Sequence, residues 1–180
     1  MQAKAIYIWD LLIRIFHWSA VILISLDYWF LEGGDTLHTW AGYSLGAIVV
    51  VRIGWGFAGT THARFADFFP TPARLRSHLA RRSLAPGEGH NPLGALMILA
   101  MLGLMALIVI SGWMQTLDRF WGEPWVEQLH EYSAELLLFM AVVHVLAVLT
   151  VQRISGVPLV KPMLTGWRRL PAGNVDSEER

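Results

Sequence analysis

Four stretches of this 180-residue chain are long and apolar enough to cross a lipid bilayer, which takes about 20 residues of helix. They cover residues 9–30, 36–57, 92–117 and 125–152. Nothing else in the sequence constrains the fold so tightly. Hydrocarbon offers no hydrogen bonds, so each span must satisfy its own backbone, as a helix does. Composition points the same way: 54% of residues are apolar and 16% charged, where soluble chains run at about a quarter charged. The charges also cluster, leaving Leu37–Val51 and Asn91–Leu117 with none. These features exclude a disordered or nucleic-acid-binding chain and disfavour a water-soluble domain. The expected architecture is all-α, an integral membrane four-helix up-and-down bundle over residues 1–170 with a polar tail at 171–180.

The span ends are marked chemically. Asn91-Pro92 supplies a capping side chain and then the residue best tolerated at the first helical position. The first span resembles a signal peptide in placement. Its long apolar run leads into Asp27-Tyr28-Trp29-Phe30, however, and not into a small-residue cleavage site, so it is expected to remain as a span. Nine Trp and four Tyr suit an aromatic belt at the lipid–water boundary. Every Lys and Arg except Arg119 falls on one side: the N-terminal stretch, the 58–90 loop with its flanks, and the tail. The other side carries Asp27, Glu32, Asp35, Asp118, Glu123, Glu127, Glu131 and Glu135. The positive-inside rule then predicts both termini cytoplasmic and two short acidic loops outside, the periplasm for a bacterial inner membrane. The 58–90 loop contains Pro70, Pro72, Pro86 and Gly87. It is expected to be irregular apart from a short basic helix near Arg74–Arg82.

No cysteine is present, which excludes disulfides, iron–sulfur clusters and covalently attached haem. Seven histidines are present. His62, His78 and His90 fall in the basic loop and read as solvated. His17, His38, His130 and His144 fall inside spans, where a polar side chain needs a partner. At about 1.5 Å per residue, His17 and His144 each lie about 12 Å from the cytoplasmic surface, and His38 and His130 about 3 and 6 Å from the outer one. The four sort into two level-matched pairs. His130 and His144 are fourteen residues apart on one helix, close to four whole turns and a rise of about 21 Å, so both point into the bundle.

Two facing imidazoles at one level suit the two axial positions of a haem iron held between helices. The bundle is then expected to enclose two non-covalent b-type haems, each with bis-His ligation: His17 with His144, and His38 with His130. Zinc and copper also accept histidine pairs, though usually with carboxylates or thiolates that are missing near mid-membrane here. Four unrelated polar contacts in a cofactor-free anchor are the remaining alternative. A proton-coupled transporter is disfavoured by the lack of an intramembrane acid.

A macrocycle needs small residues beside its ligands. Gly42 and Gly46 follow His38 at i+4 and i+8, a spacing that serves cofactor clearance and close helix packing equally well. Propionates need cations or donors, and Arg14, one turn from His17, and Arg52 are the candidates at the inner level. Both also serve as topology signals. Glu127, Glu131 and Glu135 recur every four residues at a helix start, a dipole-favourable stripe or a docking face.

Several strings belong together: Trp9-Asp10-Leu11-Leu12-Ile13-Arg14-Ile15-Phe16-His17-Trp18, Leu37-His38-Thr39-Trp40-Ala41-Gly42-Tyr43, Arg52-Ile53-Gly54-Trp55-Gly56-Phe57 through His62-Ala63-Arg64-Phe65, Gly89-His90-Asn91-Pro92-Leu93-Gly94, Leu129-His130-Glu131 with His144 fourteen on, and Met163-Leu164-Thr165-Gly166. With them the chain resembles, over nearly its whole length, the bacterial cytochrome b561 family that includes the b-type cytochrome subunit of nickel–iron hydrogenases. The resemblance implies a two-haem electron carrier between a periplasmic redox partner and the membrane quinone pool. The partner class is a c-type cytochrome, an oxidoreductase or a hydrogenase subunit, and the acidic outer face suits a basic one. The quinone is expected near Asp10, Arg14 and Arg52, or on the outer side near His38. The rival expectation is an autonomous superoxide oxidase that passes electrons from superoxide to quinone. The acidic rim counts against it by repelling an anion.

Overall fold

The computed structural model describes residues 5–81 and 91–169. In chain order the elements are β1 (Ala5–Tyr7), α1 (Leu11–Phe30), α2 (Thr36–Ala58), α3 (Phe65–Phe68), α4 (Pro72–Arg81), α5 (Pro92–Met114), α6 (Pro124–Ser155), α7 (Val160–Thr165) and β2 (Trp167–Arg169). Helices α1, α2, α5 and α6 are long and apolar enough to span a membrane. The chain is a multi-pass membrane protein. The 171–180 tail and His90 lie outside the described residues, as does the side chain of His78.

Local chemistry sets the helix ends. The Asp10 carboxylate accepts from the Ile13 amide at 2.9 Å, satisfying one of the first-turn donors that α1 cannot pair internally. Asn91 does the same for α5 through the Gly94 amide, with Pro92 in the first turn. α5 stops at Met114 instead of the expected Leu117. Bonding there tightens from i−4 to i−3, with Thr116 N on Trp113 O and Leu117 N on Met114 O. α6 runs on to Ser155 and ends at Gly156, whose φ of +68° glycine adopts without strain. Its 32 residues span about 48 Å, more than a hydrocarbon core of about 30 Å.

α1 packs on α2, α2 on α5, and α5 on α6, the last being the most extensive contact. Among the described residues α6 has no comparable contact with α1 or α2, so a cleft opens between α6 and those two helices. The core crosses that cleft once. Ala20 of α1, Leu45 and Val49 of α2, Leu102 and Met105 of α5 and Leu137 of α6 form one buried cluster. Leu137 is only 2% exposed, and it lies seven residues from both His130 and His144 on their own helix. It divides the cleft into an upper and a lower compartment. One compartment faces the α1–α2 and α5–α6 connections, here the hairpin end; the other faces the chain termini.

The termini end is tied by contacts that local sequence pattern does not reveal. β1 pairs antiparallel with β2, Ile6 opposite Arg168. These two three-residue strands depart from the all-α expectation for this end; they are too short for a period-2 pattern to stand out. Gly166 O accepts from Ile8 N at 2.9 Å and Trp9 N at 3.3 Å. The φ of Gly166 is +85°, and a Cβ there would meet Trp9 O at 2.9 Å, so glycine is required. Arg14 Nη1 donates to Leu164 O at 2.7 Å and Trp18 Nε1 to Met163 O at 3.1 Å. Asp10 closes the arrangement by accepting from Trp55 Nε1 at 2.9 Å and Thr60 Oγ1 at 2.7 Å. α3 and α4 occupy the loop that follows, α4 being the short basic helix expected near Arg74.

Candidate functional site

The hairpin-end compartment is built on two histidines from facing helices. His38 sits in the first turn of α2 and His130 two turns into α6. Their ring centres are 6.0 Å apart with planes at 78°. His130 is held from the α5 side: its Nδ1 lies 3.0 Å from Ile108 O and 3.2 Å from Ser111 Oγ. A carbonyl oxygen only accepts, so Nδ1 carries the hydrogen and Nε2 keeps its lone pair. Ser111 is fully buried, its hydroxyl donating to Leu107 O at 2.7 Å. Gly112 completes the seat. A Cβ at Gly112 would stand 3.0 Å from His130 Cε1, so the ring lies flush against α5 only because the side chain is absent.

His38 has a different companion. Its Nδ1 lies 2.9 Å from Asp27 Oδ1 at the end of α1. Between the two rings opens a cavity of about 330 Å³, lined mostly by apolar side chains with Asp27, Thr39, Thr116 and Glu131 toward its mouth and Leu137 at its floor. Two imidazoles on one metal ion, with bonds of about 2 Å each, have ring centres about 6 Å apart. The observed spacing and the engaged Nδ1 of His130 fit that arrangement. Among the described residues no group of three or more His, Asp or Glu side chains is placed to hold a metal ion, which sets the pairs apart from a zinc or copper cage.

The termini-end compartment contains His17 of α1 and His144 of α6. Both are partly buried, and they lie within electrostatic reach of each other. This pair has no clamp like that of His130: His17 Nδ1 is buried without a hydrogen-bond partner. Two further buried donors are in the same condition, Arg14 Nε and Arg52 Nη1. Arg52 is 4% exposed, with its guanidinium over the Phe65 ring at 5.1 Å. Buried polar hydrogens without partners are rare in native structures and mark places where a polar group fits. Asp10 is differently placed. Burial pushes its carboxyl up, but the Ile13 amide, the Trp55 indole, the Thr60 hydroxyl and the Arg52 charge outweigh that and hold it below the ordinary aspartate value. Its oxygens accept three hydrogen bonds that tie the termini end.

The two glycines singled out on α2 divide. Gly42 lines the hairpin-end cavity and a Cβ there would meet nothing within 4 Å. Gly46 turns to α5, where a Cβ would meet Val109 Cγ1 at 2.9 Å, so it serves helix packing. Asp27, Ile108, Ser111 and Gly112 went unrecognised as site residues in the sequence. Asp27 had a usable signal: it stands within one turn of the end of α1, as His38 stands within one turn of the start of α2. The α5 residues had none, because the register between two helices is written in neither one alone.

A family model described as prokaryotic cytochrome b561 matches residues 8–166. Two curated relatives, from Azotobacter vinelandii and Azotobacter chroococcum mcd 1, are each named a probable Ni/Fe-hydrogenase B-type cytochrome subunit. Each is 22% identical over 93% of this chain and 90% of its own length. No solved structure matches the chain.

Proposed function

Since the chain belongs to the prokaryotic cytochrome b561 family, and is thereby a membrane cytochrome b that binds b-type haem and takes part in electron transfer, we propose that it holds two haems and carries electrons across the bacterial inner membrane. His38 and His130 would hold one at the hairpin end, and His17 and His144 the other at the termini end. Both termini face the cytoplasm in this reading, and the hairpin end faces the periplasm. The observation that carries it is the His38–His130 pair, 6.0 Å apart across a cleft, with the hydrogen of His130 Nδ1 directed to Ile108 O. A bound haem iron supplies reversible one-electron exchange.

The chain's own residues do the rest. Ile108, Ser111 and Gly112 fix the ring of His130 so that one nitrogen faces the cavity. Arg14 and Arg52 offer buried N–H groups to anionic carboxylates at the termini end. Leu137 and its neighbours exclude water between the two levels. Glu32, Asp35, Asp118, Glu123, Glu127 and Glu131 are exposed around the hairpin end and suit a basic periplasmic partner, a c-type cytochrome or an oxidoreductase of the hydrogenase kind. Quinone is the proposed electron partner within the membrane. A shallow groove lined by Arg14, Trp18, Met163 and Leu164 at the termini end suits the quinone ring.

The test is haem content and spectrum of purified variants. His17→Ala and His144→Ala should lose the same haem, leaving one per chain. His38→Ala and His130→Ala should lose the other. Identical spectra for His17→Ala and His130→Ala would overturn the pairing, and a wild-type protein with fewer than two haems would overturn the count.

A further inference from the structure

We propose that the Asp27 carboxylate, 2.9 Å from His38 Nδ1, sets the two haem positions electrically apart. The proposal rests on the two-haem reading above. A carboxylate near the end of a membrane span is costly to keep and needs a partner. Asp27 Oδ1 is buried, and its near neighbour is His38 Nδ1 at 2.9 Å; no hydrogen bond satisfies that oxygen. Among the described residues no other span histidine is in ion-pair contact with a carboxylate, although the Asp27 charge also reaches His130 at longer range. The neighbours of His130 Nδ1 are the neutral Ile108 carbonyl and Ser111 hydroxyl. His17 Nδ1 has no hydrogen-bond partner, and at the termini end the cations Arg14 and Arg52 outnumber the one carboxylate, Asp10, which is engaged by Ile13, Trp55 and Thr60.

The consequence follows from charge alone. The charge of a carboxylate beside a ligating imidazole acts on the iron through space. It favours the more positive, oxidised state of the iron and so lowers its reduction potential, one of the protein's principal levers on a haem. The cations at the termini end act in the opposite sense. Asp27 thus makes the hairpin-end position the harder of the two to reduce, and an electron resting there is driven toward the termini end. No proton or group transfer is involved, only the relative energy of one electron at two positions.

The experiment measures the midpoint potentials of both haems in the purified holoprotein, by following the visible bands as the ambient potential is stepped. Haem content is determined first, so a wild type lacking two haems exposes failure of the underlying reading before Asp27 is tested. Asp27→Asn keeps the shape and removes the charge. Its hairpin-end midpoint should rise by about 59 mV, a tenfold change in the one-electron equilibrium, with the other midpoint unmoved. Asp27→Glu, which retains the charge, should stay with wild type. An unchanged midpoint in Asp27→Asn overturns the proposal, as does an equal rise in both variants. If Asp27→Asn does not retain the hairpin-end haem, Asp27→Ser is measured in its place: a rise of about 59 mV supports the proposal and an unchanged midpoint overturns it.

Discussion

Substituting Gly112 by alanine adds one methyl group and separates cofactor binding from folding. The new Cβ would stand 3.0 Å from His130 Cε1 and 3.3 Å from Nδ1, where carbon contacts settle at about 3.5–4.0 Å. Relief requires the ring to move about half an ångström away from α5. The 3.0 Å contact from Nδ1 to Ile108 O lengthens with that movement, and the nitrogen facing the cavity loses its aim. Overpacking of this kind costs about 1–3 kcal/mol, which at about 1.4 kcal/mol per factor of ten weakens haem retention about fivefold to 140-fold at the hairpin end. Helix propensity works the other way, since alanine is better than glycine by about 0.8–1.0 kcal/mol in a helix interior. The variant should therefore keep its helical circular dichroism while losing one haem of two. Gly54→Ala is the control, because Gly54 is exposed and a Cβ there meets nothing within 4 Å. Two haems per chain and an unaltered spectrum in Gly112→Ala would refute the assignment of His130.

Asp10→Ala should cost about 4 kcal/mol or more at neutral pH, combining a lost N-cap of about 1 kcal/mol with lost bonds from Trp55 and Thr60 to a charged acceptor at about 1.5–3 kcal/mol each. Its carboxyl lies below the ordinary aspartate value, so its contribution is complete above that range and fades as pH falls toward the native value. Thermal melts in detergent should show the gap between wild type and Asp10→Ala narrowing in acid, and a constant gap would refute the charge argument. Association with a basic c-type cytochrome should slow about tenfold or more between low and physiological ionic strength, as stopped-flow mixing would show, because the acidic hairpin-end rim steers encounter. A salt-independent rate would remove that surface from the docking site.

What could be read from the residues and what could not divides along a physical line. The levels of His17, His38, His130 and His144 follow from the fixed rise of a helix, and so do the four spans from their length. Asp27 was open to the same arithmetic as His38 but reads first as one more acidic loop residue. The grip of Ile108, Ser111 and Gly112 on His130 depends on how α5 slides against α6, which no single helix encodes. Gly42 and Gly46 differ by about 40° around one helix axis, and only the position of α5 says which is packed and which faces the cavity. The bonds of Arg14 and Trp18 run to backbone carbonyls of Leu164 and Met163, acceptors that every residue possesses and none advertises.

The buried layer around Leu137 has a bearing on energy conservation. A proton needs a file of water or hydrogen-bonding groups to advance, and apolar constrictions of this kind dewet and interrupt such a file. An electron needs no such file and can tunnel through a short run of packed hydrocarbon side chains. With Ala20, Leu45, Val49 and Leu137 closing the middle of the bundle, the two-haem path proposed above would carry current across the membrane while the proton gradient stays intact.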